Sequence, residues 1–415
     1  MAQFNFEGDI AGLSDRQLEF VNKVVSEQYL KVNKVVFEPL GKTGDNFMSN
    51  VKRISIEGED GNLKMVVKIA PKEEVIRAST HTQVMFTNEH IMYKEVLPKF
   101  VSLQKAAGVP AEERLRYAKC YGSLNEAPDE MILLEDLNEL DFTMLNKYES
   151  LSNECVKSIL KNFATLHSLS YALRHKEPAV YEQFKNKLTN TWPLMPQSPV
   201  FAMQIQHVEM AVLSLLDDET HKSLIKGKFE GMFKLMTKLA KEEDGKHFVI
   251  QQGDGWTNNV MFRFQGDNLM QSIMIDYQGS GNNRPVFDLL YMIFNCTDHE
   301  TRSKNFYDWL QYYHTELDRS LSNFGLKANY FYPMDQLDVD LKRYGRSVFG
   351  LCLMLSNILM RDSKEAGVIM EALKSGGIEK TMEAFSSHSL QSESVVRGKK
   401  RIVGLIESFT QFGLL

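Results

Sequence analysis

The segment Gly253-Asp254-Gly255-Trp256-Thr257-Asn258-Asn259 is a polar, glycine-bearing stretch caught between two short β-like runs, 248–251 and 260–264. A short loop pinned on both sides can aim Asp254 and Asn259 into one cleft. A third β-like run, 270–276, leads into Ile275-Asp276-Tyr277-Gln278-Gly279, which sets Asp276 at a strand end just before Gly279 and Gly281. Either segment alone is also an ordinary turn; their order and the hairpin between them single them out. Far upstream, Lys68 stands inside the apolar run Met65-Val66-Val67-Lys68-Ile69-Ala70. Burying an ammonium is costly unless an anion meets it. Glu89, in Phe86-Thr87-Asn88-Glu89-His90-Ile91-Met92-Tyr93, is the best-placed partner, ahead of Glu95 and Glu74. For Lys68 taken alone, an edge-strand lysine reaching to solvent is the plainer reading.

The first third of the chain reads as mixed α and β. Helical spacing covers 13–33 and 75–98, where Pro98 is expected to stop the helix. Strand-like runs occupy 50–56 and 63–69 around the turn Glu59-Asp60-Gly61-Asn62, then 118–121 and 131–134. From 152 onward helices dominate, at 156–175, 204–216, 224–239, 301–322, 337–359 and 367–374. The change of character near Glu135 to Asn138 predicts two lobes in an α+β fold. Residues 1–134 would form a small mixed lobe and residues 135–415 a larger, mainly helical one.

Of 415 residues, 43% are hydrophobic and 25% charged, enough for a large core, and the net charge of -6 gives no general reason to bind nucleic acid or an anionic membrane. Cys120, Cys155, Cys296 and Cys352 are scattered with no metal-ligand spacing, so reduced thiols are expected. The densest apolar run, 286–296, contains Asp288 and is too short to span a bilayer. The first residues lack the basic-then-apolar pattern of a secretory leader. A soluble cytoplasmic protein without stable membrane insertion is expected, with no protein partner indicated. The basic C-terminal stretch, 396–415, reads as an amphipathic helix with a solvated charged face.

Lysine, aspartate, asparagine and aspartate in this order meet the needs of phosphoryl transfer. Asp254 would orient a substrate hydroxyl and accept its proton. Asn259 and Asp276 would hold Mg2+ through hard oxygens, and Lys68, paired with Glu89, would sit on the phosphates of ATP. The turn from Gly41 to Ser49 offers backbone N–H groups around Gly44, Asp45, Asn46 and Ser49 as a phosphate cover, with a plain hairpin turn as the alternative. It is not a Walker loop, which requires glycine where Val36 stands. In Leu133-Leu134-Glu135-Asp136-Leu137, main-chain groups of Glu135 and Leu137 would face an adenine edge. Trp192, Phe201, Met203, Trp309, Tyr312, Tyr313, Met354 and Met360 are candidates for an apolar substrate pocket, with core packing as the commoner fate of such residues.

Taken together, these residues resemble the insect ecdysteroid kinase-like family, within the protein-kinase-like fold that also serves choline kinases and aminoglycoside phosphotransferases. The segment Gln252 to Asn259 is similar to the family's His-Gly-Asp-Leu-Trp-x-Asn-Asn, and Ile275-Asp276-Tyr277-Gln278 to its Ile-Asp-Phe-Gln. Phe86-x-x-Glu89-x-x-x-Tyr93, Leu134-Glu135-Asp136-Leu137, Ala164-x-Leu166-His167-x-x-Ser170 and Asp288-Leu289-Leu290-Tyr291 match as well. The resemblance implies a bilobal kinase fold and transfer of the γ-phosphate of ATP to a hydroxyl of an ecdysteroid or a similar apolar compound. A protein substrate does not fit, because the segment from Asp276 to Asp288 is too short for an activation loop. Two positions depart from the family: Gln252 replaces histidine, and Gly255 replaces leucine. At the first a glutamine amide would replace the scaffolding hydrogen bonds of the histidine only in part, and at the second glycine would loosen the loop around Asp254. They are the basis of an alternative, a pseudokinase that binds a hormone or xenobiotic without transferring phosphate.

Overall fold

The structure is a computed structural model, and it describes residues 4–28, 31–41, 49–59, 61–197, 199–242, 245–374 and 392–415. The N-terminal part contains β1 (Phe6–Gly8), α1 (Asp15–Gln28), β2 (Val32–Pro39), β3 (Asn50–Gly58), β4 (Gly61–Ile69), α2 (Glu74–Thr80), α3 (Thr82–Ile91), α4 (Leu97–Ala106), β5 (Cys120–Leu124) and β6 (Met131–Glu135). Its six strands make one sheet in the order β1-β2-β3-β4-β6-β5, antiparallel except for β1 beside β2.

The two faces of this sheet explain where Lys68 goes. Strand side chains alternate between faces. Met65, Val67 and Ile69 of β4 share one apolar cluster with Val21, Val24 and Val25 of α1. Lys68 therefore projects from the opposite face, where α3 lies. Strand β6 alternates in the same way, with Met131 and Leu133 under α1 and Ile132 and Leu134 in the larger core. Being buried on both sides, it reads as an unbroken apolar run.

Pro98 does not stop the helix. It sits in the first turn of α4, where the missing N–H has no helical partner to lose, and a π-helical turn over Met92–Val96 joins α3 to α4. Strand β1 was not expected from the sequence; at three residues it is too short to carry an alternation pattern.

The remainder comprises α5 (Asn153–Lys176), α6 (Pro178–Lys187), α7 (Pro199–Ser214), α8 (Glu219–Ile225), α9 (Phe229–Ala240), β7 (Val249–Gln251), β8 (Val260–Gln265), β9 (Asn268–Met274), β10 (Gly281–Asn283), α10 (Pro285–Cys296), α11 (His299–Ser322), α12 (Ala328–Phe331), α13 (Met334–Leu359), α14 (Ser363–Lys374) and α15 (Ser392–Gln411). Ser152 caps α5, its Oγ accepting from the Cys155 N–H at 3.2 Å, and Asp298 caps α11 through the Thr301 N–H at 2.9 Å. The apolar run 286–296 is α10, buried on every side. One apolar core runs from the second face of the sheet through α3, α4, α5, α10, α11 and α13.

The basic C-terminal face is only partly solvated. Lys400 is exposed, but the Arg401 guanidinium turns inward onto Asn295 O at 2.7 Å and Ser356 Oγ at 3.0 Å. Among the described residues no helix is long and apolar enough to cross a membrane.

Candidate active site

Strand alternation and α3 bring Lys68 and Glu89 together. Lys68 Nζ lies 2.7 Å from Glu89 Oε2, 2.7 Å from Asp276 Oδ1 and 3.2 Å from Gln278 Oε1. Lys68 is 7% exposed and Glu89 1%. Burial alone would lower the lysine pKa, but Asp276 and Glu89 outweigh it and raise it above the ordinary value, so Lys68 is charged at every relevant pH. Burial pushes the Glu89 carboxyl up while Lys68 pulls it back. The weaker rivals lie elsewhere: Glu95 pairs with Lys187 at 2.5 Å, and Glu74 is exposed. Next to Glu89, the Asn88 amide donates to Thr189 O at 2.8 Å and Gln278 O at 3.1 Å, which ties α3 to the Asp276 segment. Asp276 itself adopts φ 58°, a left-handed conformation disfavoured for a residue with a Cβ. Such strain persists only where the surroundings impose it.

The loop before Asp254 hangs on a carboxylate that the sequence marked as a lone charge in an apolar run and as the first residue of a matched motif. Asp288, on α10, is fully buried; its oxygens accept from the backbone N–H of Gln252 at 2.9 Å and of Gly253 at 2.8 Å. His167 on α5 lies 3.1 Å behind it and also meets Tyr313 OH at 2.8 Å. Gln252 then joins both halves of the site. Its Nε2 donates to Ile275 O at 3.1 Å and Asp276 O at 2.9 Å, and its Oε1 accepts from the Asp254 N–H at 2.6 Å. Gly253 is required at its position, with φ 83° and room so tight that a Cβ would stand 2.0 Å from Gly279 O.

The carboxylate of Asp254 is gripped at both oxygens. Tyr291 OH donates to Oδ1 at 2.6 Å and Asn259 Nδ2 to Oδ2 at 3.1 Å. Burial, reinforced by Asp276 nearby, pushes its pKa up to about 7 against the opposing effects of Tyr291 and Lys68. A carboxylate poised near neutral pH is matched to taking up a proton. Trp192 supports the loop from the other side, donating Nε1 to Gly253 O at 2.7 Å. Gly255 is not a loose point: a Cβ there would stand 2.6 Å from Phe163 Cζ, so the ring of Phe163 closes the space.

Among the described residues no cluster of three or more His, Cys, Asp or Glu could cage a metal ion. Magnesium needs no such cage, since it keeps most of its shell for phosphate oxygens and water. Asp276 offers a carboxylate, and Asn259, whose amide nitrogen faces Asp254, turns its amide oxygen away from that carboxylate. One charged and one neutral hard oxygen fit that requirement.

The remaining expected positions fare differently. Gly44, Asp45 and Asn46 lie outside the described residues, while Ser49 stands half-buried just before β3. The Glu135 carboxylate is held by Arg116 at 2.8 and 2.9 Å, and the Glu135 N–H donates to Lys119 O at 2.8 Å. Leu137 O accepts from the Phe142 N–H at 3.2 Å, so that carbonyl already has a partner. Of the pocket candidates, Trp309, Tyr313, Met354 and Met360 are buried in the apolar core, and Tyr312 packs against it. The side chains of Phe201 and Met203 lie outside the described ones. Trp192 does wall a cavity, with Met236, Leu239, Phe287, Tyr344 and Ser347, but its room of about 10 Å³ is that of one water.

The model of the ecdysteroid kinase-like family matches residues 43–326. Among solved structures, an ethanolamine kinase of Plasmodium vivax is 12% identical, with a TM-score of 0.42 over 89% of this chain and 81% of its own. The GDP complex of wild-type aminoglycoside 2'-phosphotransferase-IIIa is 13% identical, with a TM-score of 0.41 over 93% of this chain and 99% of its own. No curated protein matches the chain. With its family match spanning both the Lys68 strand and the Asp254 and Asp276 segments, the chain belongs to the ecdysteroid kinase-like family.

Proposed function

We propose that the chain transfers the γ-phosphate of ATP to a hydroxyl of a small, hydroxylated, mainly apolar compound, an ecdysteroid or a molecule of similar character. The observation that carries this reading is the contact of Lys68 Nζ with both Glu89 and Asp276 at 2.7 Å, which joins the N-terminal sheet to the segment after β9. In this reading residues 1–134 form the nucleotide lobe and residues 135–415 carry the catalytic loop and the acceptor.

Asp254 orients the acceptor hydroxyl and takes its proton as the new O–P bond forms and the bond between the γ-phosphorus and the bridging oxygen breaks, releasing ADP. Lys68 neutralises charge on the phosphates, and Glu89 holds its ammonium in place. Asn259 and Asp276 would hold magnesium, which supplies charge neutralisation to the phosphates when bound. Tyr291 and Asn259 keep the Asp254 carboxylate in one orientation, so little reorganisation accompanies the reaction.

The pseudokinase alternative rests on Gln252 and Gly255. Gln252 makes three hydrogen bonds that span the loop, and Gly255 is packed against Phe163, so neither residue leaves the loop unsupported. The test is transfer of labelled γ-phosphate from magnesium ATP to a panel of ecdysteroids, phenols and glucosides, with Asp254→Asn alongside. Labelling that disappears in the variant supports the proposal. Failure to label any member, with no binding of ATP, overturns it in favour of a ligand-binding protein.

A further inference from the structure

A ligand-sized space adjoins the residues described above and shares Arg116 with them. It is a groove of about 380 Å³ between the helical segment that follows Glu89 and the stretch leading into β5. That volume is within the range of small-molecule sites, whereas the cavity beside Trp192 is not. Its walls include the rings of Tyr93 and Tyr117, 6.3 Å apart, and the side chains of Val101 and Leu115. Lys94 and Lys119, both exposed, stand at its border, and no Asp or Glu lines it. Arg116 also borders it but is neutralised by Glu135 at 2.8 Å. The groove therefore combines an aromatic and aliphatic lining with two ammonium groups that no carboxylate pairs among the described residues, that of Lys119 lying over the Tyr121 ring at 4.4 Å.

One further observation sets this groove apart from an accidental surface dent. Tyr93 and Lys94 lie in the π-helical turn Met92–Val96, an irregularity that is uncommon in helices and frequent at functional sites.

We propose that this groove is a binding site for a small planar aromatic anion, such as an aryl sulfate, phosphate or carboxylate, and that its occupancy is coupled to the nucleotide site. The ring would lie along Tyr93 and Tyr117, with the anionic group between Lys94 and Lys119. Coupling has a physical route. Tyr93 is one helical turn beyond Glu89 and meets Tyr277, the neighbour of Asp276, edge to face at 5.5 Å. On the other side, Arg116 grips Glu135 at the end of β6. A ligand seated against Tyr93 thus bears on both carboxylates that hold Lys68. The binding half of this inference does not depend on phosphate transfer.

Equilibrium dialysis of the full chain against naphthalene-2-sulfonate, with uncharged 2-naphthol as control, tests it. The sulfonate is expected to bind at least about tenfold more tightly than the naphthol, the worth of one charge-assisted contact. Lys94→Glu combined with Lys119→Glu, both at exposed positions, should erase that preference, and Val101→Trp should block both probes by filling the groove. Saturating ATP should leave the sulfonate bound while changing its affinity by about fivefold or more, with the reciprocal effect on ATP. Equal binding of the two probes, indifference to the charge reversals, or simple competition with ATP would each overturn the site. Sulfonate binding that leaves ATP affinity unchanged would overturn the coupling.

Discussion

Replacing Asp254 by asparagine should stabilise the folded protein at alkaline pH while abolishing transfer. The carboxyl is pushed from its ordinary value of 3.8 up to about 7, first by burial and then by Asp276. A folded pKa above the unfolded one means that the protonated form is favoured by folding. That contribution is complete below pH 3.8 and is lost as the pH rises through about 7. At about 1.4 kcal/mol per decade, the ionised carboxylate costs the folded chain about 4 kcal/mol at pH 8. Asparagine escapes this cost, but its NH2 group must face one of the two neighbours that donate to the carboxylate, the Asn259 amide at 3.1 Å or the Tyr291 hydroxyl at 2.6 Å. The mismatch costs about 1–2 kcal/mol. The variant should therefore be more stable than wild type by about 2–3 kcal/mol at pH 8, and less stable by about 1–2 kcal/mol at pH 4. Urea unfolding of the nucleotide-free, metal-free protein at several pH values measures this directly. A stability difference that stays constant from pH 4 to pH 8 would refute the assignment of a raised pKa to Asp254.

The wild-type rate of transfer should rise with pH through a limb near 7, the same carboxylate seen in turnover, and the pH dependence of kcat/KM checks it. Lys68→Met should lower kcat/KM by at least about 100-fold and destabilise the fold by about 3–5 kcal/mol, because Glu89 is left buried and unpaired; combining it with Glu89→Gln should recover stability but not activity. Gln252→Ala should reduce kcat about 10- to 100-fold with little change in KM for ATP, since it frees the Asp254 N–H and the link to Asp276; Gln252→His should restore most of the loss. Gly255→Leu should destabilise by about 1–3 kcal/mol through collision with Phe163, and adding Phe163→Ala should recover part of it, a coupling measurable in a double-mutant cycle.

What could be read in advance divides along physical lines. Lys68, Asp254, Asn259 and Asp276 were legible as a set, because their order and the hairpin between the two loop segments set them apart from ordinary turns, and the structure brings Lys68 to Asp276 and Asn259 to Asp254. Asp288 gave a partial signal, a lone charge in the densest apolar run, and the structure resolves it as the acceptor for two loop N–H groups. Tyr291 and Gln278 were legible only as positions in matched motifs, and Trp192 only as a pocket candidate, without the contacts they make here. Tyr291 and Trp192 look like core aromatics, and their roles come from a hydroxyl and an indole N–H that only the fold aims. The same ambiguity runs through the pocket candidates, where core packing was the commoner expectation, and Trp309 and Tyr313 do serve the core. Pro98 misled for a different reason. A proline marks a helix boundary without saying which side of it the helix occupies.

The two departures from the family pattern acquire a common meaning once their neighbours are known. A histidine before the loop would have one ring nitrogen to offer each side. Gln252 offers an amide nitrogen to two carbonyls and an oxygen to the Asp254 N–H, so the chemistry of a donor and an acceptor on one side chain is retained. Losing a leucine at Gly255 would leave a hole of several methylenes in a buried loop, which folded proteins tolerate poorly. Phe163 enters that space instead, and its ring stacks on His167 at 5.9 Å, which in turn contacts Asp288. The support of Asp254 thus runs through Phe163, His167 and Asp288 as well as Gln252. Each of the two departures is thus met by a neighbour that restores a contact to the loop.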